Sequence, residues 1–428
     1  MSLSNRVRLC LSEWINLLLL AVPIRSRASF IELLCGCMVS PEGWVTRAIS
    51  AIARRRHWTT YYKLLERGSL RTVRLARRLF LLVLTVLPCD VLTLVIDDTL
   101  VPRSSEQAPG CAYRHDHSRK INRPQFMRAQ CWVTLGVSAL GNGGGNLVLP
   151  ILSRLVPNAG NRNKLKIALV LVRSLAGVAN KPVRVLFDSW FMRARLVLPL
   201  LRRQMHVIGQ ARIDTALFLV PPPPTTPRRG RKRIYGERLN AEAIEALPAI
   251  ELRMPLYGKD QQVRLRSAEA RARFLKGALV RAVWCQFFDA KKQVWTKPRL
   301  LLATETDLSA EEVVQLYARR WGIEPLFHNL KRWFGVSNLW QQTRTVLELW
   351  MQIRSMAWTL NQLLSLVLAE TFPMDSVAPW RVNQPVTAGL VMQWLRMEFT
   401  GLAFRDGLNR KSQKFQWPTP RNDTRPTS

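Results

Sequence analysis

The chain has 428 residues, enough for two or three domains, and its 48% hydrophobic content can build a sizeable core. Its 64 Lys+Arg against 29 Asp+Glu leave a formal net charge of +35, an excess that repels itself unless a polyanion neutralises it, and nucleic acid is the usual one. An anionic membrane surface is the competitor, but the apolar stretch 80–96 is interrupted by Pro88 and Asp90, and the run at 14–24 is too short to span and lacks a clear small-residue cleavage site. The seven cysteines form no Cys-x-x-Cys pair, which predicts reduced thiols in a cytoplasmic protein and no zinc framework.

Residues 1–90 read as helices in which apolar runs alternate with arginine clusters, such as "TRAISAIARRRHW" and "KLLERGSLRTVRLARRLFLLVL". Like charges without acidic partners destabilise a solvated helix face, so this region is expected to meet the DNA backbone. At 91 the character changes. "VLTLVIDDT" is a continuous apolar, β-branched run ending in two aspartates and reads as a buried strand. "AQCWVTLGVSAL" and "NLVLPILSRLV" follow as strands joined by "GNGGGN", a hairpin signal. A helix ("NKLKIALVLVRSLAG"), a strand ("PVRVLFDSWF"), a helix interrupted by Pro199 and a fifth short strand ("HVIGQAR") complete a mixed α/β sheet.

"PPPPTTPRRGRKR" (221–233) reads as an extended, stiff, basic segment. Residues 234–300 hold further strand-like pieces and read as a β-rich insertion, with a separate domain as the alternative. Ser309 followed by Glu312 gives a capping box, from which one long helix is expected to run despite Gly322 and Pro325. Apolar helices continue to about 370, and 406–428 reads as a mobile basic tail. In "YRHDHSRK" (113–120), His115, Asp116 and His117 are adjacent and so poorly placed to share an ion; a basic DNA-facing loop is expected. No Gly-rich phosphate loop ending in Lys-Ser/Thr occurs, so ATP use is not indicated.

Asp97 is expected at the end of the first strand, Asp188 at the end of the fourth and Glu324 on the long helix. Strand ends are where ligands gather in α/β sheets, and three converging carboxylates suit a hard cation, principally magnesium. The plainer alternative is that Asp97 and Asp98 start a turn and Asp188 caps a helix. On the helix, Tyr317, Arg320, Glu324 and Lys331 fall within an arc of about 60° at about 100° per residue. That face puts an acid between two bases.

The spacing Y-x2-R-x3-E-x6-K after two strand-end aspartates resembles the DDE transposases of bacterial insertion sequences, in the group named for its Y-R-E-K signature. "RRWGIEPLFHNLK", "VIDDT" and "VLFDSWF" carry the likeness, which spans about 90–345. The resemblance implies a ribonuclease-H-like core with a β-strand insertion. It implies metal-dependent DNA cleavage and strand transfer, with Asp97, Asp188 and Glu324 ligating two Mg2+ ions (Mn2+ substituting) and Tyr317, Arg320 and Lys331 contacting DNA phosphates. Terminal inverted repeats and target DNA are the implied partners, a homodimer the implied assembly, and the bacterial cytoplasm and its nucleoid the implied location. Strand alternation lets only one of Asp97 and Asp98 point inward, and the family pattern favours Asp97. Trp284 and Trp295 lie where some relatives place a base-stacking tryptophan, yet neither matches cleanly and packing is the first expectation. The organisation expected is a helical DNA-binding region at 1–90, the core's first part at 91–212, the insertion at 213–300, the glutamate helix completing the core at 301–345, and C-terminal helices with the tail at 346–428. Another two-metal nuclease on the same core, a catalytically silent DNA-binding derivative and a membrane-surface protein are the rivals.

Overall fold

Five helices open the chain: α1 (Leu3–Leu19), α2 (Arg27–Val39), α3 (Val45–Ser50), α4 (Thr59–Arg67) and α5 (Thr72–Val86). They belong to a computed structural model that describes residues 3–116, 124–157, 162–223 and 233–418. In α5, Leu75, Leu79, Leu82 and Val83 are buried at helical spacing while Arg77 and Arg78 lie between the first two, as an amphipathic helix requires. In α2 almost every residue is buried, so it forms the centre of the helical region.

The central sheet begins with β1 (Leu92–Pro102), β2 (Cys111–His115), β3 (Phe126–Leu140) and β4 (Asn146–Leu155), followed by α6 (Arg162–Ala176), β5 (Val183–Phe187), α7 (Ala194–Leu201) and β6 (Met205–Ala211). β1 pairs antiparallel with β3, and β3 antiparallel with β4. On its other edge β1 pairs parallel with β5, and β5 parallel with β6. The order β4-β3-β1-β5-β6, with three antiparallel strands followed by a parallel set, is the expected mixed sheet. The glycine-rich β3–β4 hairpin closes through Gly141 and Gly145, with Gly144 at a φ of 72° that suits glycine. β2 was not expected; it adds to β3 beside β4 and makes the Asp188 strand the fifth in the chain rather than the fourth.

Then come β7 (Leu217–Phe218), α8 (Ala241–Glu245), β8 (Ala249–Leu256), β9 (Lys259–Ala272), β10 (Ala278–Asp289), β11 (Val294–Trp295) and β12 (Arg299–Ala303). β12 returns antiparallel beside β6, and β10 and β9 follow it outward. The inserted strands therefore extend the core sheet itself. The extended segment expected at 221–233 lies mostly outside the described residues, as does His117.

The chain continues through α9 (Ala310–Ala318), a 3-10 turn at Arg319–Gly322, α10 (Ile323–Arg332), α11 (Arg344–Val367), α12 (Met374–Val377) and α13 (Ala388–Phe399). α11 is buried from Leu349 to Ser365 and ties two regions together with polar side chains. Gln352 and Thr359 donate to the β4 carbonyls of Ile151 and Pro150, while Asn361 and Arg354 donate to Met38 and Ser40 at the end of α2. Residues 406–418 correct the expectation of a mobile tail over 406–428, whose last ten residues lie outside the described ones. Phe415 exchanges hydrogen bonds with the Asn16 side chain of α1, and Trp417 stacks on Phe399 and Phe404. The two aromatic side chains outweigh the basic composition around them. Among the described residues no helix is long and apolar enough to cross a membrane.

Candidate active site

The parallel pairing of β1 with β5 ends at Ile96 opposite Phe187. Asp97 and Asp188 are the next residues on strands about 4.8 Å apart, so their carboxylates leave the sheet side by side. The sequence placed the end of the strand at Asp97, but β1 runs on through Asp97 and Asp98, paired with β3, to Pro102. Asp188 Oδ1 accepts from the backbone N–H groups of Trp190 and Phe191 at 3.0 and 3.2 Å, which fixes its direction. Burial and then the Asp188 carboxylate push Asp97 up to about 8, and Arg320 offsets this only in part. Burial also raises Asp188, against its backbone hydrogen bonds and Arg320.

The glutamate helix is not one straight rod. Ser309 and Glu312 form the expected capping box on α9, but a 3-10 turn separates α9 from α10. Pro325 has no N–H to give the Trp321 carbonyl and its ring crowds that oxygen, which accounts for the tightened turn. Gly322 lets the turn lie close against β4: a Cβ there would sit 3.0 Å from the Asn146 carbonyl oxygen and would push that backbone back by a few tenths of an ångström. Ile323, Leu326, Phe327 and Leu330 then bury one face of α10, each worth about 1.5–3 kcal/mol.

This packing lays the predicted polar face across β1. Arg320 Nη1 donates to Asp97 Oδ2 at 3.0 Å and its Nη2 to Glu324 Oε1 at 3.3 Å. The guanidinium also lies 5.7 Å from the Tyr317 ring. Burial alone would weaken the Arg320 charge, but Tyr317, Asp97, Glu324 and Asp188 more than offset it, so its pKa is raised. Tyr317 is buried, and burial pushes its hydroxyl up to about 12. Lys331 Nζ reaches Thr99 Oγ1 at 2.7 Å and the Leu100 carbonyl at 3.2 Å. Asp97 and Thr99 share one face of β1, since they are two residues apart.

Asp98 points to the opposite face. Its Oδ2 accepts from Lys164 Nζ of α6 at 2.8 Å and from Cys131 Sγ at 3.2 Å. Lys164 also sits 5.0 Å from the Trp190 ring. Asp97 is thus the aspartate turned toward Arg320, while Asp98 is engaged beneath the sheet. Lys164 and Cys131 carried no signal in the sequence, where a lysine at a helix start and an apolar-flanked cysteine are ordinary.

The donor chemistry fits a hard cation in part. Two buried carboxylates side by side raise each other's protonation and would be relieved by a divalent ion. Glu324 stands on the far side of Arg320 with a side chain 52% exposed. Among the described residues no group of three or more His, Cys, Asp or Glu is gathered closely enough to hold a metal ion. Elsewhere, Trp284 is buried in β10 as a packing residue, and Trp295 on β11 carries the Arg264 guanidinium 4.2 Å from its ring. His115 packs edge-to-face on Phe126 at 4.9 Å.

A family model described as DDE superfamily endonuclease matches residues 24–272. No curated protein matches the chain. Among solved structures, a piggyBac transposase synaptic complex with hairpin DNA, determined by cryo-EM, aligns over 88% of this chain and 71% of its own at 12% identity and a TM-score of 0.37. The family match takes in more than half of the chain, including β1 with Asp97 and β5 with the adjoining Asp188, and ends before the glutamate helix: the chain belongs to the DDE superfamily endonucleases.

Proposed function

We propose that this protein is the transposase of a bacterial insertion sequence of the Y-R-E-K group. It cuts DNA at the ends of its element and joins them to target DNA, using two divalent cations, Mg2+ or in its place Mn2+. The observation that carries this is the placement of Asp97 and Asp188 at adjacent positions on parallel β1 and β5, with the Tyr317–Lys331 face laid over them.

Asp97, Asp188 and Glu324 are the residues that would hold the cations, which when bound supply an activated water and stabilise the leaving oxygen of a phosphodiester. The rest falls to side chains of this chain. The backbone donors at Trp190 and Phe191 hold Asp188 in one direction. Arg320 and Lys331 present a fork and a point charge to phosphate oxygens, and Tyr317 forms the buried shelf under Arg320. A net charge of +35 supplies affinity for long DNA, and the helices of 1–90 and the insertion are proposed to grip terminal inverted repeats and target DNA within a homodimer on the nucleoid.

The test is excision of a marked element carrying the ends that flank this coding region. Asp188→Asn should abolish cleavage and leave end binding near the wild-type level. Loss of both together would count against the metal role, and unchanged cleavage would count against the site. A protein that binds ends but cuts under no condition would be the silent derivative instead.

A further inference from the structure

Arg320 makes a contact that phosphate binding alone does not explain. One guanidinium spans two of the three carboxylates assigned to the cations, Asp97 at 3.0 Å and Glu324 at 3.3 Å. Arg320 and Asp97 are only 15% and 16% exposed, so that pair is poorly screened, while Glu324 at 52% meets solvent. A cation and a guanidinium cannot both sit between the same two oxygens. Arg320 Nε, meanwhile, is buried with no acceptor. A phosphate taking Nε and one Nη together would satisfy that donor in the bidentate manner arginine favours. The arginine is carried by the 3-10 turn between α9 and α10, whose hydrogen-bond geometry is poorer than that of the flanking α-helices. The two partners also differ from Asp188, which is fastened to the backbone, while Glu324 is half exposed and has room to turn.

Building on the metal-site assignment above, we infer that Arg320 is a displaceable counter-ion: it competes with a divalent cation for Asp97 and Glu324, and a DNA phosphate draws it off them. Cation and DNA then bind cooperatively, each raising the affinity for the other by the same factor, as linkage demands. A protein built this way assembles its cutting site on DNA and resists loading in solution.

The experiment is Mn2+ titration of the full-length protein by calorimetry, with and without a short duplex, the duplex alone serving as blank. The wild type should bind Mn2+ weakly by itself and about tenfold more tightly with the duplex, within the usual range of site-to-site coupling. Arg320→Gln should bind Mn2+ more tightly than the wild type without DNA and gain little from the duplex. Arg320→Lys keeps the charge but cannot fork across two carboxylates, so it should fall between them; it carries the comparison if the glutamine variant unfolds, which thermal melting would reveal. Equal Mn2+ affinity in wild type and both variants, or an equal gain from DNA in all three, would overturn the counter-ion role. If Mn2+ binding is then lost in Asp188→Asn, the metal site itself stands. No Mn2+ binding to the wild type under either condition would overturn the counter-ion role and the metal site together.

Discussion

The aspartates and the glutamate are carried by different kinds of structure. Asp97 and Asp188 extend from neighbouring parallel strands whose side chains are buried on both sides, and their positions follow from sheet register. Glu324 rides on α10, beyond a 3-10 turn, half exposed and tethered to Arg320. The sheet half of the site is preorganised, which is where electrostatic catalysis draws its strength. The helix half is adjustable, and adjustment costs little when the moving group is already in solvent. The same contrast holds within β1, where Asp97 faces the helix and Asp98 is clasped by Lys164 and Cys131 below the sheet.

The sharpest way to break this comparison is to substitute the two neighbouring aspartates. Asp97→Asn should lower DNA cleavage by about a thousandfold or more, the scale of losing a group on which the chemistry depends, and the folded protein should remain. Asp98→Ala should leave Lys164 without its carboxylate in a largely buried position, lowering stability by about 3 kcal/mol. Its folded fraction should still cleave within about tenfold of wild type, since the group is one step removed from the reacting atoms. Denaturant melts and single-turnover cleavage measure the two effects separately. The opposite pattern, with Asp98 controlling cleavage and Asp97 only stability, would exchange their roles.

Much of the sheet half was legible from sequence because its signals are local. Continuous β-branched runs marked β1 and β5, "GNGGGN" marked the hairpin, and Ser309 with Glu312 marked the start of α9. The face shared by Arg320, Glu324 and Lys331 followed from helical spacing. What escaped was set by distant partners. The Arg320–Asp97 bond joins residues 223 apart and the Lys164–Asp98 bond residues 66 apart, so no window contains both ends. Within the β-rich insertion, the "SAEARAR" end of β9 has helix-forming composition. Its buried Ala268, Ala270 and Ala272 alternate with polar residues only as strands do, and β10 supplies the pairing that overrides propensity. The single long helix was expected from the capping box and the helical spacing of Tyr317, Arg320, Glu324 and Lys331; the backbone angles do stay helical through the turn, so the effect of Pro325 is a tightening rather than a break.

A smaller effect follows from the crowding of the two aspartates. Asp97 is raised from the ordinary 3.8 to about 8, by burial first and by Asp188 second. Between those values the folded state holds a proton on Asp97 that the unfolded chain has released. The folded state therefore binds more protons, and stability falls as pH rises from about 4 to about 8. Thermal melts at pH 5 and pH 8 should show the wild type losing more stability than Asp97→Asn over the same interval. Equal losses would mean that Asp97 is ionised throughout, and the sheet half would then be less crowded than its geometry implies. Added Mn2+ should reduce the wild-type loss at pH 8, because a bound cation favours the ionised pair.

Lys331 tests the boundary between the two halves, because it touches both. It lies in the last turn of α10, yet its ammonium reaches Thr99 and the Leu100 carbonyl on β1. As a strut between helix and sheet, its replacement in Lys331→Met should cost about 1 kcal/mol for the lost hydrogen bonds and leave the salt dependence of DNA binding untouched. As a phosphate contact, it should also flatten that dependence, reducing the slope of log affinity against log salt by about one. We expect both the stability cost and the flattened slope, with cleavage reduced far less than in Asp97→Asn, because the neighbouring Arg320 still meets the same DNA. Fluorescence anisotropy across a salt series separates the two outcomes. A slope equal to the wild type's would confine Lys331 to the scaffold and leave Arg320 to join the adjustable half of the site to DNA.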